Sequence, residues 1–174
     1  MVKPLAGIVV GSDSDLPVMK DCAKILDELG ISYEITIASA HRVPDKTAEY
    51  ARTASGRGLA VIVAAAGGAA HLPGVIAAHT PLPVIGVPIN YGALNGLDAL
   101  YAIVQMPSGV PVATVAINGA KNAGILAAQI IGAADHSVRD RIVALKEKMA
   151  RQLEEKNAGL AELGVEGYLS KAGG

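Results

Sequence analysis

Five short apolar runs, each followed by a stretch with helical spacing, constrain this chain more than any other feature. The runs are LAGIVV at about 5 to 10, YEITI at 33 to 37, LAVIVAA at 59 to 65, PVIGVP at 83 to 88 and PVATVAI at 111 to 117. Helical patterns follow them at about 16 to 29, 45 to 55, 73 to 79, 95 to 105 and 121 to 131. Runs that stay apolar through both alternating faces predict strands buried on both sides. A helical crossover between consecutive strands predicts parallel pairing. The expected fold is therefore a three-layer α/β domain, with a parallel sheet of about five strands and helices on both faces, flavodoxin-like or Rossmann-like.

At 174 residues the length prior gives a single domain over 1–174, able to bury about 70% of its unfolded surface. Its α/β core is expected over 1–132. With 51% hydrophobic residues but no Phe or Trp, that core must be assembled from Ala, Val, Ile and Leu, and so packs tightly from small pieces. A C-terminal amphipathic helix and tail are expected over 137–174. The helix is read at about 138 to 156, with Ser137 and Asp140 spaced as a capping box and Ile142, Leu145, Met149 and Leu153 along one stripe. Its stripe suits packing on its own sheet or between subunits. The closing AELGVEGYLSKAGG reads as loose.

A net charge of −1 with interspersed signs provides no basic surface for nucleic acid. No apolar run reaches the length of a membrane span, and the N-terminus lacks the pattern of a secretory leader, so a cytoplasmic protein is expected. The single cysteine, Cys22, shares the apolar side of a helical pattern with Val18, Ile25 and Leu29, which predicts packing rather than reactivity. Neither His41 nor His71 belongs to a recognisable metal-ligand spacing, so no metal is expected.

In open parallel sheets, ligands bind at the carboxyl ends of the strands, where helix N-termini favour anions. Three unusual segments fall there: GSDSD (11–15) after the first strand, SAHR (39–42) after the second and AGGAAHLPG (66–74) after the third. Each also has a purely structural reading. Asp15 or Ser14 can cap a helix that Pro17 helps to start; alternatively Ser12, Ser14 and backbone N–H groups cradle a phosphate while Asp15 accepts from ribose hydroxyls. Ser39 can cap the following turn, leaving His41 and Arg42 as a loop histidine and a solvated charge. Gly67 and Gly68 can serve close packing alone, or line a pocket for a flat ligand, with His71 either orienting that ligand or simply capping the helix. QMPSGVP (105–111) reads as a turn, and His79 and His136 as ordinary helix-end residues. Together these features predict a small α/β protein holding a phosphorylated, ribose-bearing molecule beside one histidine.

GSDSD, SAHR, AGGAAHLPG and QMPSGVPVATVAI, in this order, closely resemble the class I N5-carboxyaminoimidazole ribonucleotide mutases of purine biosynthesis, over about Gly7 to Ile131. The chain departs from the commonest pattern of that family at Ala65, in INYGALNG (89–96), which stands in place of a Gln-Ser-containing loop, and in INGAKNAG (117–124). The resemblance implies an isomerase that moves a carboxyl from the exocyclic amine of the ribonucleotide to ring carbon C4, without metal or organic cofactor. It implies His41 as the proton carrier and Ser12, Ser14, Asp15, Ser39 and Arg42 around the ribose phosphate, with Arg42 as the cation. Ala66, Gly67, Gly68, Ala70, His71 and Leu72 would form a dry pocket retaining CO2. It also implies a homo-octamer, while composition and hydropathy lead to no expectation of a nucleic-acid or membrane partner. The nearest alternative is the related aminoimidazole ribonucleotide carboxylase, which takes CO2 directly. That branch tends to carry Thr at the place of Asp13 and Lys at that of Arg42, and a different sequence in place of GGAAHLPG. A receiver-like module on the same fold would need an acidic residue at the end of the third strand, where Ala64, Ala65 and Ala66 stand.

Overall fold

In the computed structural model, which describes residues 3–172, the apolar runs form one parallel sheet in the order β2-β1-β3-β4-β5. The strands are β1 (Ala6–Val10), β2 (Tyr33–Ile37), β3 (Val61–Gly67), β4 (Val84–Ile89) and β5 (Ala113–Thr114). Helices α1 (Leu16–Glu28), α2 (Pro44–Arg57), α3 (Leu72–His79), α4 (Leu97–Val104) and α5 (Ala120–Gly132) alternate with them, and α6 spans His136–Ala172. The chain falls into two compact units, Met1–Arg139 and Asp140–Gly174.

The helices after β1, β2 and β3 all begin with proline in the first turn, at Pro17, Pro44 and Pro73. Proline there fixes φ near the helical value and lacks only an N–H that would be unpaired anyway. The short loops that precede these helices all leave from the carboxyl ends of the parallel strands. On one face, α2, α3 and α4 close over the strands through Ala51, Ala54, Leu72, Ile76, Ala99 and Ile103, packed with Val9, Ile62, Ala64 and Val84. On the other face α1 meets α5, where Gly124 lies against Ile25 and the Cys22 carbonyl. Cys22 is fully buried, and burial pushes its thiol up to about 12, so it packs and does not react at neutral pH.

The three central strands are buried as expected, and the outer two are not. Ile35 and Ile37 of β2 are each 47% exposed, and β5 contains two residues rather than the run 111–117. An apolar run at a sheet edge has a neighbour on one side only, so its composition overstates its burial. The last helix also differs from expectation. Asp135, not Ser137, caps it: the Asp135 carboxylate accepts from the Ser137 and Val138 amides at 2.8 and 3.3 Å and from the Ser137 hydroxyl at 2.7 Å. The segment expected to be loose is helical up to Ala172, interrupted at Gly164 (φ 65°, ψ 175°), because its Ala, Leu and Glu content favours helix on either side of that glycine.

Candidate active site

β1 and β3 lie side by side at the centre of the sheet, while the chain leaves β1 for β2 on one flank and leaves β3 for β4 on the other. Loops diverging from that point open a crevice above the carboxyl ends. A cavity of about 440 Å³ occupies it, lined from the β1 loop by Ser12, Ser14 and Asp15 and from the β2 loop by Ser39, His41 and Arg42. Ala66, Gly67, His71 and Leu72 line it from β3 and the start of α3.

The β1 loop is held by its own side chains. The Ser12 amide donates to Asp15 Oδ2 at 3.1 Å while the Ser14 amide donates to Ser12 Oγ at 3.4 Å, a reciprocal cap over the 3-10 turn Asp13–Asp15. Asp15 is only 7% exposed. Burial raises its carboxyl above the ordinary range, and hydrogen bonds from the Ser12 and Gly11 backbone and from Ser14 act in the opposite direction. The residues that shape this turn, Ser12, Ser14 and Asp15, also face the cavity.

In the β2 loop, Ser39 Oγ accepts from the Arg42 amide at 3.2 Å and fixes the turn that projects His41 and Arg42. Arg42 Nη2 donates to the Gly11 carbonyl at 3.1 Å, which aims the guanidinium at the β1 loop and leaves further N–H groups able to donate. Among the described residues no carboxylate forms an ion pair with it.

His71 opens α3 without capping it; its ring instead meets His41. His41 Nε2 and His71 Nδ1 stand 2.8 Å apart, with the rings edge to face at a centroid distance of 4.9 Å. Such a bond requires one ring to donate and the other to present a lone pair, so both cannot be imidazolium while it persists. His41 Nδ1 is then the ring nitrogen that stands outside the pair. Residues 30 apart in sequence form this pair because β2 and β3 flank β1 in parallel and both send their following loops over its carboxyl end.

Two anticipated residues lie off the cavity wall. Ala70 is fully buried in the core, and Gly68, at φ +61°, supplies the bend after β3 rather than a lining surface. The 105–111 segment is also away from the cavity; its Met106 packs against Gly74 of α3. Four lining residues were not among the anticipated residues: Gly11, Ala40 and Ala69, which lie inside the three segments already singled out, and Tyr91, which lies outside them. Tyr91, from the loop after β4, reaches the cavity, and a lone aromatic just beyond the carboxyl end of a fourth apolar run was the available clue. Among the described residues no three His, Cys, Asp or Glu side chains are grouped to hold a metal ion, and no helix is long and apolar enough to cross a membrane.

Residues 5–152 match the AIR carboxylase family. The N5-carboxyaminoimidazole ribonucleotide mutase of Pyrococcus horikoshii is 59% identical over 169 residues, covering 97% of this chain and 96% of that protein. The phosphoribosylaminoimidazole carboxylase of Schizosaccharomyces pombe is 55% identical over 165 residues, which cover 95% of this chain but 30% of that longer protein. The crystal structure of Treponema denticola PurE superimposes with a TM-score of 0.82 at 29% identity, covering 90% of this chain and 98% of that one.

Proposed function

The chain belongs to the AIR carboxylase family, and from that premise we propose that it is a mutase of purine biosynthesis. It converts N5-carboxyaminoimidazole ribonucleotide to 4-carboxy-5-aminoimidazole ribonucleotide. The observation that carries this reading is the His41–His71 pair, set beside Arg42 in a cavity of nucleotide size. The mutases of Pyrococcus horikoshii and Thermotoga maritima are matched over 96% and 98% of their length, whereas the Schizosaccharomyces pombe carboxylase is matched over 30%.

The chemistry suits one imidazole. The bond between the exocyclic nitrogen and the carboxyl carbon breaks, its electron pair stays on nitrogen, and CO2 departs while His41 delivers a proton to that nitrogen. The electron-rich C4 then adds to CO2, and the proton it carried returns to His41. Net proton change is zero, so His41 ends as it began. His71 Nδ1 accepts from the Nε2–H of His41 when His41 is protonated, which fixes the ring and leaves Nδ1 for the ligand. Arg42 takes the phosphate, with Ser12, Ser14, Asp15 and Ser39 around phosphate and ribose. Ala66, Gly67 and Leu72 provide the apolar wall along which CO2 waits, at an effective concentration far above that in solution. A homo-octameric, cytoplasmic enzyme acting without metal or organic cofactor completes the proposal.

The test is His41→Asn. The amide keeps a hydrogen-bonding shape but carries no proton near neutral pH, so interconversion should vanish while the ribonucleotide still binds. A variant retaining a tenth of wild-type turnover contradicts the role given to His41.

A further inference from the structure

We propose that Tyr91 covers the aminoimidazole ring of the bound ribonucleotide and keeps released CO2 from escaping, an inference that rests on the mutase reading. Its side chain is 69% exposed yet faces a cavity otherwise lined by small, polar or charged groups, Leu72 excepted. Those polar groups suit phosphate, ribose and proton transfer. None of those polar groups offers a broad apolar face to a flat heteroaromatic ring; Tyr91 does, and it adds to the apolar wall of Ala66, Gly67 and Leu72 against which CO2 is held.

The backbone is arranged to put that ring there. A Cβ at Gly67 would stand 3.0 Å from Tyr91 Cβ and 3.3 Å from the Ile89 carbonyl, so only glycine lets the β4 loop approach the end of β3 this closely. At Gly68, whose positive φ already disfavours a side chain, a Cβ would lie 3.9 Å from Tyr91 Cδ1. The ring thus stands beside a ledge of two residues without side chains. Its base is anchored: the Asn90 amide donates to Asn118 Oδ1 at 2.9 Å, and the Asn118 amide donates to the Pro88 carbonyl at 2.8 Å. Gly92, at φ +71°, follows immediately and lets the loop turn away without drawing Tyr91 from the cavity. No hydrogen bond holds the Tyr91 hydroxyl among the described residues, so the ring is the working part of the side chain.

The experiment compares wild type, Tyr91→Ala and Tyr91→Phe on substrate carrying an isotopically labelled N5-carboxyl, in excess unlabelled bicarbonate. Tyr91→Ala should raise KM about three- to tenfold, the effect of losing one aromatic stack. It should also lower the fraction of label retained in the product while leaving the thermal midpoint unchanged. Tyr91→Phe should restore KM and retention together. Wild-type KM and retention in Tyr91→Ala overturn the inference, as does a Phe variant that fails like Ala. A wild-type protein that does not interconvert the two isomers overturns the mutase reading and this inference with it, whereas an active wild type with an indifferent Tyr91→Ala overturns this inference alone.

Discussion

Replacing Arg42 with alanine should weaken binding of the phosphorylated ligand by about ten- to 150-fold. The figure follows from one charge-assisted contact, worth about 1.5–3 kcal/mol, at about 1.4 kcal/mol per tenfold. The guanidinium is already held by the Gly11 carbonyl at 3.1 Å, so little side-chain freedom is lost on binding, which favours the upper end. Its exposure lets salt screen the contact, which favours the lower end as ionic strength rises. Folding should be almost untouched, because Gly11 is partly exposed and water can replace Arg42 at its carbonyl. Titration calorimetry with the ribonucleotide and with the corresponding nucleoside, which lacks phosphate, separates the contributions. The substitution should cost affinity for the first and leave the second unchanged. Equal losses for both ligands, or an unaltered Kd for the ribonucleotide, would refute the placement of phosphate at Arg42.

Removing the partner imidazole in His71→Ala should lower kcat more than it raises KM, since His41 loses the group that fixes its ring; an unchanged kcat counts against the pairing. Asp15 is raised in the folded state, so the native protein binds a proton more tightly than the unfolded chain, and its ionisation makes stability fall as pH rises from the unfolded Asp pKa through the raised folded value. Asp15→Asn, whose Oδ1 still accepts from Ser12, should flatten denaturant stability across that acid window, and an unaltered slope would contradict the burial argument. Gly124→Ala should lower stability by about 1–3 kcal/mol in chemical denaturation, because the added methyl meets Ile25 and the Cys22 carbonyl; a variant as stable as wild type would show that α1 and α5 can separate freely. Treatment with EDTA should leave turnover intact, and loss restored by a divalent ion would overturn the metal-free mechanism.

The centre of the fold was legible because burial on both faces leaves a continuous apolar signature, as in Ile8–Val10 and Val61–Ala65. Its edges were not, since YEITI and PVATVAI carry the same residue types without the same neighbours. Helix ends failed where two acceptors competed for one role: Asp135 reaches the α6 amides that Ser137 was expected to serve. For the site, residues at the ends of β1, β2 and β3 could be grouped because a parallel sheet forces those ends together. The direct contact between His41 and His71 depends on the loop conformations and ring orientations, which no spacing encodes. Tyr91 depended on a close approach made possible by Gly67, a pairing of two loops that local pattern cannot show.

Whether the carboxyl stays within the closed site is the question on which the mutase assignment turns. Substrate labelled in the N5-carboxyl should be supplied with excess unlabelled bicarbonate, and the C4-carboxyl of the product analysed early, before spontaneous carbamate breakdown mixes the pools. Transfer inside the cavity predicts that most of the label is retained. Product carrying mainly solvent-derived carboxyl, or efficient turnover of aminoimidazole ribonucleotide with bicarbonate alone, would contradict the mutase and identify a carboxylase.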